Sequence, residues 1–231
     1  MIEHYAEDYS LIMGIVDLIP VILFALAGCI LIKSLFNVLK KPFAVFLSSG
    51  VTFGITAGTF KALWKILLAL DICDFYPFDA MFMPIQSFAM VLIGVGLISI
   101  LFDKEIRGVS KTNVVILPLV LIILAGTPAR LENGSIMFIA LLVIGDLLIA
   151  TSLSFLAIKN KNWLCLIMFI GNFICMMVMG AMKPLSTKMN LSVTAANWIE
   201  ESINIVGQGL LLVGCYLLNK KGFFAYKEIK D

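Results

Sequence analysis

Residues 11–35 read LIMGIVDLIPVILFALAGCILIKSL, an apolar run interrupted by one acid, Asp17, before Lys33 is reached. A run near 20 residues matches the roughly 30 Å hydrocarbon layer of a bilayer at 1.5 Å rise per residue. Strands would need alternation and shorter segments, and neither is present. In lipid every backbone amide must be satisfied inside its own segment, so the stretch predicts a membrane-spanning helix. It is too long for a cleaved signal, and the residues before it carry Glu3, Glu7 and Asp8 instead of a basic leader.

Working outward, six further segments have the same character: Phe43–Leu70, Pro77–Phe102, Thr112–Thr127, Ser135–Ile158, Trp163–Met182 and Val193–Leu218. The connections are short, and none can hold a soluble domain. Of all residues 61% are hydrophobic and only 14% charged, well below the quarter or so that is charged in soluble proteins. The expected fold is therefore all-α: a polytopic membrane protein, one transmembrane domain over residues 1–231 with seven spans. The fourth segment is the shortest and contains Pro118.

Charge distribution sets the expected orientation. Lys33, Lys40 and Lys41 follow the first segment, Lys104, Arg107 and Lys111 the third, Lys159 and Lys161 the fifth, and Lys220, Lys221, Lys227 and Lys230 the seventh. Only Arg130, Lys183 and Lys188 fall on the other side. The positive-inside rule then places the N-terminus outside and the C-terminus in the cytoplasm, a multi-pass arrangement in the cell membrane. Six spans would instead leave Lys159, Lys161 and the basic tail outside.

Several function classes drop out. No basic patch interleaved with aromatics suggests nucleic acid. The five cysteines form no Cys-x-x-Cys, and the single histidine is His4, so no His- or Cys-based metal site is expected. No cofactor is expected either. Microbial rhodopsins share seven spans, but retinal needs a lysine midway along the last helix, and none lies between Lys188 and Lys220. No nucleophile elbow or phosphate loop occurs, so no catalytic residue is assigned.

An internal repeat is expected, with halves 10–102 and 135–218 joined by a linker helix at 112–127. Asp17 pairs with Asp146, Gly58-x-x-Lys61 with Gly180-x-x-Lys183, and Leu92–Leu97 (LIGVGL) with Ile205–Leu210 (IVGQGL). This three-plus-one-plus-three pattern with an outside N-terminus resembles the SWEET and PQ-loop transporters. The resemblance is one of topology; the Pro-Gln signature is approached only by Pro84-Ile85-Gln86. It implies a central substrate faced by the third and seventh segments, a role that suits Asn204, whose repeat counterpart is Val91.

The candidate site comes from charges and amides inside the spans. Asn197, Glu200, Glu201, Asn204 and Gln208 recur at three and four residues and cover an arc of about 100°. A central charge costs roughly 2.5–3.5 kcal/mol on insertion scales, so this face is expected to look into the bundle. On the second segment Gly50, Gly54, Gly58, Lys61 and Lys65 share one face. The glycines read as a close-packing surface, within the monomer or between protomers of a homo-oligomer. Lys61 lies roughly 13 Å below the outer end. Lys65, one turn shallower, is expected to snorkel to the interface.

Asp17, Lys61, Gln86, Asn197, Glu201, Asn204 and Gln208 are the expected substrate-binding residues, with Lys61 compensated by Asp17, Glu200 or Glu201. Glu200 and Asp146 are the expected proton-coupling sites. The partners are the bilayer and a small polar solute or ion. The expected function is a transporter or channel with a polar pocket in the outer half. The rivals are a membrane receptor acting through a partner protein, and a lipid-modifying enzyme working with carboxylates alone.

Overall fold

The computed structural model describes residues 10–36, 38–100 and 134–221, whose regular structure is entirely helical. The helices are α1 (Leu11–Val16), α2 (Leu18–Leu35), α3 (Lys41–Ala69), α4 (Tyr76–Ile98), α5 (Gly134–Lys159), α6 (Trp163–Lys188) and α7 (Val193–Lys221). With α1 and α2 taken as one span, six of the expected segments are helices long and apolar enough to cross a membrane. The chain is a multi-pass, all-helical membrane protein by this measure. The expected fourth segment, Thr112–Thr127, lies outside the described residues, as do Lys104, Arg107, Lys111, Arg130 and both charged termini.

The hydrogen-bond ladder of the first span is interrupted at Asp17, between α1 and α2, while the Asp17 backbone keeps helical angles of φ −59° and ψ −21°. Pro20 explains the interruption. It has no N–H to give the Val16 carbonyl, and its ring crowds that turn. The other ends are sharper. Asp71, Lys161 and Asn190, just beyond α3, α5 and α6, adopt left-handed φ of 53°, 50° and 52°. In each case the following N–H turns back onto the helix: Ile72 to the Leu67 carbonyl, Asn162 to Ala157 and Leu191 to Ser186, at 3.1, 2.8 and 3.0 Å. These reversals satisfy end carbonyls that hydrocarbon could not.

Each span packs against the next, and α7 closes the ring on α2. The glycines show the directions. Gly28 faces Val51 and Gly58 faces Val21, so α2 and α3 run antiparallel. Gly145 faces Met90 while Gly94 faces Leu148, so α4 and α5 run parallel. At three positions, Gly50, Gly96 and Gly145, neighbouring backbone leaves room for glycine alone. A Cβ on Gly50 would stand 2.8 Å from both the Ala89 carbonyl and the Ile93 nitrogen, and one on Gly145 would stand 2.7 Å from the Val91 nitrogen. The glycine face of α3 is thus shared inside the monomer: Gly50 receives α4, whereas Gly54 and Gly58 receive Phe24 and Val21 of α2. The sequence matches between halves extend to these surroundings only in part: Gly94 and its counterpart Gly207 both meet neighbours. Gly58 and Gly96 meet neighbours, but Gly180 and Gly209 have open space.

The apolar core lies toward one end of the ring. Leu31 and Leu35 of α2, Leu47 of α3, Leu97 of α4, Leu153 and Leu156 of α5, Phe169 of α6 and Leu218 of α7 all belong to one cluster. These positions lie toward the end that carries Lys40, Lys41, Lys159, Lys161 and Lys220. Two polar side chains buried on that side tie helices together, whereas the Asn162 side-chain Nδ2 is buried there without a partner among the described residues. Ser34 donates to Asn219 Oδ1 at 2.8 Å, tying α2 to α7. Asn172 donates to the Gly207 carbonyl at 2.9 Å, tying α6 to α7.

Candidate functional site

The opposite half is organised around one lysine. Lys65 Nζ lies 2.6 Å from Asp17 Oδ2 and 3.4 Å from Glu201 Oε1. Lys65, Asp17 and Glu201 are only 2%, 5% and 4% exposed. Three spans meet there. The interrupted turn before Pro20 presents Asp17, the last turns of α3 present Lys65, and the third turn of α7 presents Glu201.

This corrects two expectations. Lys61 is not the ammonium held by the acids. It is half-buried, with Nζ 4.7 Å from the centre of the Phe82 ring, a cation–π contact with α4. Lys65 does not snorkel. Its depth along α3 is shallow, but α1 lies across that end of the helix: Met13 is fully buried and Gly14 faces Ile66. Trp64 Nε1 also donates to Asp74 Oδ1 at 2.9 Å, drawing the α3–α4 connection over the same turn. With both routes to the interface covered, the ammonium turns inward. The signal in the sequence was the spacing Asp17-x-x-Pro20, which marks an acid at an interrupted helical turn.

The other expected residues take several positions. Gln208 is buried on the face of Glu201, two turns deeper, and its Nε2 meets Met176 Sδ at 3.6 Å. Asn197 and Asn204 flank Glu201 one turn to either side and are half-buried. Gln86 is half-buried on α4, two residues after Pro84, which cannot donate to the Ala80 carbonyl. Glu200 is half-buried, about 100° around α7 from Glu201. Asp146 stands near the middle of α5 beside Gly145, away from the Lys65 cluster.

Hydrogen bonding in this half is incomplete. Asp17 Oδ1, Glu201 Oε2, Gln86 Oε1, Gln208 Oε1 and Asn197 Nδ2 are buried without a hydrogen-bond partner among the described residues. An unmet buried polar atom costs about 1–3 kcal/mol, more when charged. Sites that tolerate several together normally satisfy them with water or a ligand. Among the described residues no group of three or more His, Cys, Asp or Glu is disposed to hold a metal ion. No family model, curated protein or solved structure matches this chain.

Proposed function

We propose that this protein is a transporter or channel for a small polar solute or ion, with its binding site in the outer half of a seven-span bundle in the cell membrane. The observation carrying this reading is the buried Asp17–Lys65–Glu201 cluster with its unmet carboxylate oxygens, set against an apolar core at the other end of the ring. Structural ion pairs close on themselves; this one leaves acceptors over. Each buried charge is costly in lipid, and such groups typically face solute or water paths.

Seven spans are favoured by the parallel run of α4 and α5. A chain that leaves α4 at one end of the bundle and enters α5 at the other must return across its thickness, and residues 112–127 supply the apolar run for that crossing. The lysines at the apolar-core end make it the cytoplasmic end under the positive-inside rule, so the cluster faces outward. The test is uptake of radiolabelled solutes, charged and neutral, into proteoliposomes. Accumulation above protein-free vesicles, lost in Glu201→Gln, is the expected result. No uptake of any solute, with a lipid co-purifying at the cluster, would favour the enzyme reading instead.

A further inference from the structure

The cluster has an uneven charge count: two carboxylates, one ammonium. Lys65 is also unevenly shared, 2.6 Å from Asp17 but 3.4 Å from Glu201. The acid held less closely, Glu201, has Oε2 buried and unpartnered, and Asp17 Oδ1 is in the same condition. Both residues are more than nine-tenths buried. A net negative charge sealed in this way is strongly unfavourable unless a positive charge joins it. The surrounding groups leave that balance in place. Lys61 acts electrostatically on Asp17, but it acts on Asp79 too, and Asp79 also faces Asp74. Asp71, Asp74 and Asp79 follow one another along the α3–α4 connection and the start of α4, against Lys188 at the end of α6. Negative charge along this rim draws cations toward the cluster.

The unmet atoms specify the ligand further. Four of the five are oxygens and one is an amide nitrogen. An anion would find little to bind, whereas a cation bearing N–H or O–H donors would find acceptors on α1–α2 and α7. A bare metal ion is less well matched. Calcium takes six to eight oxygen ligands, and here Lys65 stands between the two carboxylates.

We propose that Asp17, Lys65 and Glu201 form an exchange site for one positive charge: a proton on the carboxylate pair in the empty state, replaced by the ammonium group of a small organic cation. This deepens the transport reading by naming its substrate class. On exchange the carboxyl O–H bond breaks and the proton leaves to water. The N–H groups of the incoming ammonium then donate to Asp17 Oδ1 and Glu201 Oε2, and no covalent bond to the solute forms.

The experiment is proton release from purified, weakly buffered protein near neutral pH on adding methylammonium chloride, with tetramethylammonium chloride and sodium chloride as comparisons. Methylammonium should release one proton per molecule bound; tetramethylammonium, which lacks N–H donors, and sodium should release none. Glu201→Gln and Asp17→Asn each leave one acid with Lys65, a neutral pair, so each should abolish release; if one variant fails to fold, the other decides. No release from the unaltered protein, equal release by sodium, or release persisting in a folded variant would overturn the proposal. The assay needs no transport. Methylammonium uptake without proton release would remove the exchange and keep the transporter, whereas release without uptake would support the exchange and remove the transporter.

Discussion

Lys65 Nζ stands 2.6 Å from Asp17 Oδ2, joining the interrupted turn of the first span to the last turns of α3. Neither residue is locally suited to its place. An acid interrupts an apolar run, and a long cation lies within reach of an interface it does not use. Each makes the other tenable.

Removing the ammonium should therefore cost far more than its position along α3 suggests. Lys65→Met leaves two buried acids facing each other, and breaking a buried pair on one side typically costs about 3–5 kcal/mol. Combining it with Asp17→Asn and Glu201→Gln should recover most of that loss, because no uncompensated charge remains. Lys61→Met loses one cation–π contact, worth about 0.5–2 kcal/mol. Unfolding of the four proteins in detergent checks the order. A Lys61→Met loss equal to that of Lys65→Met would show that the cluster is wrongly centred.

Pro20 is expected to matter for position more than for stability. Pro20→Ala restores the missing N–H and closes the gap in the hydrogen-bond ladder between α1 and α2, a gain of up to about 3 kcal/mol for a helix interior. The same change carries Asp17 away from Lys65 and gives up that ion pair. Melting temperature should change little, while solute uptake falls at least about tenfold, equivalent to about 1.4 kcal/mol. Uptake at the unaltered level would mean that the interruption has no part in the site.

Two glycine substitutions should behave in opposite ways. Gly50→Ala forces a methyl against the backbone of Ala89 and Ile93, which cannot yield as a side chain would. Overpacking of this kind costs about 1–3 kcal/mol. Gly180→Ala meets nothing within 4 Å and should be neutral or stabilise α6 by about 0.5–1 kcal/mol, the ordinary helix preference for alanine. Melting curves for the pair test the packing of α3 against α4.

Cys73 tests the orientation. It is exposed in the α3–α4 connection, whereas Cys165 and Cys215 are buried. An impermeant thiol reagent applied to intact cells should label Cys73. Labelling only after lysis would reverse the topology and place the Lys65 cluster on the cytoplasmic side.

Much of this architecture was legible in the sequence, for a physical reason. Lipid removes the alternatives to a helix, so a run such as Leu11–Leu35 has one reading, and its observed bounds agree. The cost of charge in lipid likewise drew attention to Asp17 and Glu201 without any structure. The choice between Lys61 and Lys65 was not legible in the same way. Depth along α3 alone brings Lys65 to the surface. Its burial comes from α1 folding across and from the Trp64–Asp74 bond, contacts made by other parts of the chain. The partition of Gly50, Gly54 and Gly58 between two neighbours is tertiary information of the same kind.

The concentration of apolar side chains at one end of the ring also has an electrical meaning. Voltage falls where dielectric is low, so the layer formed by Leu31, Leu47, Leu97, Leu153, Phe169 and Leu218 would carry most of the membrane potential. A charge at Lys65 would sit on the outer shoulder of that field and sense little of it. Passage from there to the cytoplasm would traverse nearly all of it, about 2.3 kcal/mol per elementary charge for each 100 mV. Ligand occupancy should thus be nearly indifferent to voltage, and the inward translocation current steeply dependent on it.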